Sequence, residues 1–305
     1  MLNISKNLLK KIFNDDTIYH YTKAPTAIDF ILHNNQLRFN SLLTSSDPIE
    51  SVKPKRSTVS FGSVVGSTRT LEHDNNVNKL HSYVEDLEAR FNIVCFCKNL
   101  ESDYSYHPPL EGNEELYGFT KMRMWDQYAD RFKGVCIAFS KEKILELNKD
   151  LGLIEKDVEY FKIHQLCTKK VPNIQENHLI KVGIEEYKNL IRNLLENSSF
   201  FCKHKDYSGE NEYRIGTYFE TNKCAYEHIG NDFIIDRTMM LNIEGCIKSI
   251  FVSSFANQKQ KEDLLDYANK LNIDLIEIDW RYNSFELIDL KERKLFYENL
   301  IGDNK

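Results

Sequence analysis

Gly209-Glu210-Asn211-Glu212-Tyr213-Arg214-Ile215 runs on into Gly216-Thr217-Tyr218-Phe219. The aromatic and β-branched residues of this run predict a strand. Alternation along a strand places Glu210, Glu212 and Arg214 on one face, with successive same-face residues ~7 Å apart. Two carboxylates beside a guanidinium suit polarising a hydroxyl, gripping a ribose or stabilising a cation. The same residues also suit a solvated sheet face on which Arg214 neutralises two glutamates.

Working outward, other strands are expected at Ile18-Tyr19-His20-Tyr21-Thr22, Gln36 to Leu42, Phe91 to Cys97 and Gly134 to Phe139. Further strands are expected at Val158 to Phe161, Phe233 to Ile235, Ile247 to Val252, Ile273 to Ile278 and Phe285 to Leu290. Apolar residues at helical spacing predict helices over Ala24 to Asn34, Val77 to Arg90, Phe119 to Phe132, Lys141 to Leu151 and Gln258 to Leu271. A long amphipathic helix is predicted over 176–201 and a short N-terminal one within residues 1–16. The polar segment 53–75, with Gly62 and Gly66, reads as a flexible loop or insertion; it has no lysine of a phosphate-binding loop. Residues 99–118 read as an acidic, aromatic loop. With no linker-like shift in composition after residue 90, the 305 residues are expected to form one α+β domain, a mixed sheet flanked by helices.

Composition narrows the function classes. Hydrophobic content of 41% and aromatic content of 12% indicate a folded chain, and only 12 Gly and 6 Pro argue against repeats or long linkers. A net charge of −6 disfavours a general phosphate-binding surface. Seven cysteines without a CxxC pair fit a reduced, cytoplasmic setting better than a disulfide scaffold, and no metal-ligand spacing is present. The N-terminus lacks a signal-peptide pattern and no window reaches a membrane span, so no membrane partner is expected.

Four clusters hold polar residues that are awkward to read as plain surface. His20 between Tyr19 and Tyr21 reads either as a hydrogen-bonded core residue or as a ligand contact. Asp47-Pro48-Ile49-Glu50 reads as a turn and helix start, or as a pair of acids for a metal or a ribose. Trp125 and Tyr128 share a helix face, as core or as an aromatic wall on which a base could stack. The fourth is the Glu210-x-Glu212-x-Arg214 run itself.

Together these motifs resemble a family of bacterial proteins catalogued as domain of unknown function 2971. The resemblance rests on Tyr19-His20-Tyr21-Thr22, Leu37-Arg38-Phe39, Asp47-Pro48-x-Glu50, Trp125-x-x-Tyr128-Ala129, Lys133-Gly134-Val135-Cys136 and Glu210-Asn211-Glu212-Tyr213-Arg214. It departs from that pattern at Cys95 and Cys97, at Asp126-Gln127 and at Tyr207. More distantly, the order of these motifs looks like the His–Tyr–Glu layout of ADP-ribosyltransferases. That resemblance implies an ADP-ribosyltransferase-like split sheet and NAD as substrate. It further implies His20 orienting the ribose, Tyr21, Thr22, Arg38 and Arg214 lining the nucleotide, and Trp125 or Tyr128 stacking on nicotinamide. Glu212 would be the catalytic glutamate and Glu210 would act on the acceptor; an intracellular toxin or phage-defence effector would use such an activity. The chemistry needs a carboxylate because cleaving the glycosidic bond leaves an oxocarbenium-like cation. Two other readings stay open: a metal-dependent nuclease or phosphotransferase using Asp47, Glu50, Glu210 and Glu212, and a non-catalytic sensor or interaction module.

Overall fold

The computed structural model describes residues 6–42, 71–100, 112–170, 176–219, 226–229, 232–235, 239–282 and 284–295. The strands, in chain order, are β1 (Thr17–Thr22), β2 (Gln36–Arg38), β3 (Asn40–Ser41), β4 (Phe91–Lys98) and β5 (Val135–Ser140). They continue with β6 (Ile154–Asp157), β7 (Glu159–Phe161), β8 (Cys202–His204), β9 (Glu212–Tyr218), β10 (Tyr226–Ile229) and β11 (Asp232–Ile235). The last four are β12 (Met240–Asn242), β13 (Ile247–Ser253), β14 (Asp274–Trp280) and β15 (Phe285–Asp289). Nine of them form one mixed sheet in the order β15-β14-β13-β5-β1-β4-β9-β6, with β3 also on β4. Only β13 and β14 run parallel in it, joined by the helix Gln258–Leu271 as a crossover of this kind requires. The expected fold class, a mixed sheet flanked by helices, is what the chain adopts.

The sheet is nearly split in two. β1 pairs with β5 over six residues, but with β4 over only two, Ile18↔Lys98 and Tyr19↔Cys97. Farther along, that edge of β4 takes β3 instead, at Asn40↔Ile93 and Ser41↔Asn92. Between these two ladders lie Val94, Cys95 and Phe96. There the imidazole of His20 takes the place of a backbone partner, with Nδ1 3.0 Å from the Cys95 carbonyl oxygen.

Three apolar clusters hold the layers together. One face packs Ile18, Phe96, Ile137, Tyr213, Ile215 and Ile250 against the segment 24–32 and the helix Gln258–Leu271. The other face carries two clusters. Tyr19, Tyr21, Cys97, Trp125 and Phe251 sit at one end, and Phe91 and Ile93 pack with Tyr187, Ile191 and Leu195 at the other. Cys95 falls between the two and is exposed, although β4 is an inner strand. Among the described residues no helix is long and apolar enough to cross a membrane.

Several elements differ from the sequence reading. The helix expected over 119–132 is only Met122–Gln127, because Asp130, Arg131 and Phe132 have φ of 48°, 52° and 67° and turn the chain left-handed. That turn delivers Gly134 so close to β1 that a Cβ there would lie 2.3 Å from the Thr22 carbonyl oxygen. The helix expected over 176–201 breaks at Gly183 (φ 82°) into Glu176–Val182 and Ile184–Asn197. Leu190 and Leu194 of its apolar stripe remain exposed. The strand expected over Gln36 to Leu42 is interrupted at Phe39, so β2 joins β12 while β3 joins β4. The loop expected over 53–75 ends earlier, since a helix runs Leu71–Arg90. Most of that loop, Asp47 and Glu50, and much of the acidic loop lie outside the described residues. The segment Ala24–Leu32 is helical as expected, but over Ala27–Leu32 its hydrogen bonds follow a π pattern.

Candidate active site

Glu212 and Arg214 occupy β9 opposite Cys97 and Cys95 of β4, so all four side chains share one face. Glu210 is not in the strand as expected. It ends a 3₁₀ turn, Lys205–Glu210, and the chain enters β9 through Asn211 in the left-handed region (φ 46°). Asparagine tolerates that conformation, and here its amide is also used: Nδ2 donates to the carbonyls of Lys98 and Asn99, at 3.1 and 2.8 Å. The turn is thereby pinned to the end of β4.

The charged side chains themselves are not solvated. Glu210, Glu212 and Arg214 are 1%, 4% and 1% exposed, and a fourth charge, Lys203 of β8, is equally buried at 4%. Lys203 Nζ bridges the two carboxylates, 2.8 Å from Glu210 Oε2 and 3.0 Å from Glu212 Oε2. Arg214 Nε donates to Glu212 Oε1 at 2.6 Å and its Nη1 to the Phe200 carbonyl at 2.9 Å. Thus Arg214 serves one glutamate and Lys203 serves both, and the four charges cancel. Charges buried this deeply persist only when paired. β7 lies parallel to β8 with Tyr160 level with Lys203, and Tyr160 Oη accepts the Glu212 backbone N–H at 2.8 Å.

The two carboxyls are shifted in opposite directions. Burial pushes the Glu212 pKa up, but Arg214 and Lys203, aided by the Cys95 thiol, outweigh it and bring it down to about 2. Burial raises the Glu210 pKa above the ordinary carboxylate value, with Lys203 opposing and Glu212 adding to the rise. Glu210 Oε1 is buried with no hydrogen-bond partner among the described residues. Arg123 Nε lies 4.0 Å from this oxygen, its single N–H donated to Gln127 Oε1 at 3.2 Å. Arg123 also holds the turn: it donates to the Asp206 carbonyl, and its guanidinium lies 4.4 Å from the centre of the Tyr207 ring. Lys203 Nζ sits 4.5 Å from the same ring, so Tyr207 touches two cations.

The structure brings together only part of the expected set. Glu210, Glu212 and Arg214 meet, and Tyr128, half-buried, lies within the electrostatic reach of Lys203 and both glutamates; burial is the main cause of its raised pKa. Trp125 is core instead of wall: fully buried, it donates Nε1–H to the Phe119 carbonyl at 2.8 Å and meets Tyr21 edge-on at 5.4 Å. Tyr21 is buried too, its hydroxyl donating to the Gly118 carbonyl at 2.6 Å. His20 pairs with Ile137 and packs against Phe96 at 5.9 Å, on the face opposite Glu212. It shares with the carboxylates only strand β4, whose Cys95 gives its carbonyl to His20 and its thiol to Glu212. Thr22 follows His20 by two residues onto that same opposite face. Arg38 is exposed and bonds Asn40 Oδ1 at 3.2 Å, with no contact to Glu210 or Glu212.

The residues missed are Lys203, Arg123 and Tyr160. Lys203 had one legible signal, a lysine directly after the apolar run Phe200-Phe201-Cys202. Among the described residues no group of three or more His, Cys, Asp or Glu side chains is placed to hold a metal ion.

No curated protein and no solved structure matches the chain. Residues 124–215, from the Trp125 helix to Ile215 in β9, match the model of a family described as a protein of unknown function, DUF2971. The matched stretch contains Trp125, Tyr128, Lys203, Glu210, Glu212 and Arg214, while Arg123 lies one residue before it.

Proposed function

We propose that the chain is an ADP-ribosyltransferase-like enzyme that uses NAD, with its site on the sheet face where β1 and β4 part. The observation that carries this reading is the exposed Cys95 on an inner strand, directly beside a buried carboxylate network. An inner strand of a covered sheet exposes a side chain only where the covering layer opens. At that opening Glu212 remains ionised at neutral pH because Arg214 and Lys203 hold its pKa low. It is a fixed anion in a dry setting, of the kind that stabilises a developing oxocarbenium cation. Tyr128 is the half-buried aromatic on which nicotinamide would stack, in place of the enclosed Trp125. His20 acts at one remove, by fixing Cys95.

A second reading, a non-catalytic module, draws support from the saturation of Glu212, which spends both oxygens on Arg214 and Lys203. The two part in one experiment. Millimolar NAD should raise the melting temperature, since a ligand of the folded state must stabilise it. Incubation should release nicotinamide, and Glu212→Gln should lose release while staying folded. If NAD neither stabilises the protein nor yields nicotinamide, the enzyme reading falls and the module reading stands.

A further inference from the structure

We propose that His20 is a positioning residue: its Nδ1–H stands in for a missing strand, holds the Cys95 peptide of β4 and touches no substrate. This deepens the NAD reading, on which its link to catalysis rests, and replaces the ribose contact that the distant resemblance implies for His20. On the seam edge of β4 the β1 ladder ends at Cys97 and the β3 ladder resumes at Ile93. The opposite edge is paired with β9 without a break from Phe91 to Cys97. At Cys95 a strand therefore holds β4 on one side only, and on the other its carbonyl is met by a side chain, His20.

That bond fixes the form of the imidazole. A carbonyl oxygen only accepts, so at 3.0 Å Nδ1 must carry the hydrogen, and in the neutral ring Nε2 keeps the lone pair. Burial lowers the His20 pKa, with the bond to Cys95 opposing, so the ring is neutral at neutral pH. Phe96 packs edge-on against it at 5.9 Å and limits its rotation away from the carbonyl.

The ring does not reach the carboxylates. Tyr19 pairs with Cys97 and Cys97 with Glu212, so Tyr19 shares the Glu212 face and His20, the next residue, points to the other. What spans the sheet is Cys95 itself. Its carbonyl is held by His20, and its thiol is one of the groups that keep the Glu212 pKa low. Carbonyl and side chain share one Cα, so a tilt of that peptide moves the thiol beside Glu212.

The test uses the full chain. Two-bond nitrogen–proton NMR spectra of the wild type should show His20 as the Nδ1–H tautomer; the Nε2–H tautomer overturns the proposal, whatever the variants do. Asparagine carries an N–H donor on its δ atom, where Nδ1 is, and glutamine carries one a bond farther out, near Nε2; phenylalanine keeps only the ring. His20→Gln and His20→Phe should speed amide exchange in β1 and β4 about fivefold, the factor carried by an ordinary net hydrogen bond, while His20→Asn stays within about twofold of the wild type. Equal rates in the three variants would mean that His20 only fills space, and overturn the role. With NAD, the Gln and Phe variants should lower kcat about tenfold at unchanged KM, and His20→Asn should restore it. A raised KM in all three variants, with exchange unchanged, would reveal a substrate contact; it overturns the positioning role and upholds the NAD reading. No effect of NAD on the wild type, together with the expected tautomer and exchange rates, sinks the NAD reading and supports the positioning role.

Discussion

Lys203 is the residue on which the charged network turns. It alone bridges both glutamates, and removing it leaves two carboxylates in a site that admits little water. Breaking one partner out of a buried pair costs ~3–5 kcal/mol. Lys203→Met should therefore lower the unfolding free energy in urea by about that much, and a loss below ~1 kcal/mol would mean that the network relaxes freely. The two glutamates predict opposite pH dependences. Glu212 has a folded pKa below its unfolded one, so its stabilisation is present above the ordinary carboxylate pKa and is lost as pH falls towards about 2. Glu210 has a raised folded pKa, so in the window between its unfolded and folded values stability falls as pH rises. Glu210→Gln should flatten the decline with rising pH above the ordinary carboxylate range, whereas Glu212→Gln should remove the loss at acid pH. Urea midpoints taken across pH would show both; the same slope in both variants would contradict the assignment. The carboxylates and Arg214 were legible in the sequence as alternating charges, but their burial was not. Burial depends on Lys203, and a lysine reached through the β7–β8 ladder leaves no local pattern around Glu212.

Strands were readable wherever apolar runs are short and bounded, as at Thr17–Thr22, Val135–Ser140 and Ile247–Ser253. Helix ends were less so, because turns made by ordinary residues in the left-handed region give no glycine signal. The run Asp130-Arg131-Phe132 is such a turn, and it exists to carry the chain back to Gly134 beside β1. A Cβ at Gly134 meets backbone on both sides, 2.3 Å from Thr22 O and 2.8 Å from Ala129 Cα. Gly134→Ala should cost ~3 kcal/mol, the upper end of ordinary overpacking, since no side chain can swing aside. A thermal midpoint within error of the wild type would contradict that contact. The faces of His20 and Glu212 were likewise illegible. Each lies on a strand, but which face meets which is set by pairing across β4, and pairing is a property of the assembled sheet.

At the scale of the whole molecule, the sheet consists of two bodies, β15-β14-β13-β5-β1 and β3-β4-β9-β6, joined where Tyr19 meets Cys97 and Ile18 meets Lys98. Few backbone bonds cross the seam, so opening there needs less free energy than opening within either body. Hydrogen exchange should show two protection levels with their boundary between β1 and β4. Uniform protection from β5 through β9 would count against the division.

The pairing of β4 with β9 also sets a schedule for synthesis. β4 ends at Lys98, yet its long partner β9 begins at Glu212, so a ribosome emits the intervening segments before β4 can be covered on that edge. At usual elongation rates the wait is on the order of ten seconds. For that interval the nascent chain presents Phe91, Ile93, Val94 and Phe96 on an open strand edge, the kind of surface that recruits chaperones or aggregates.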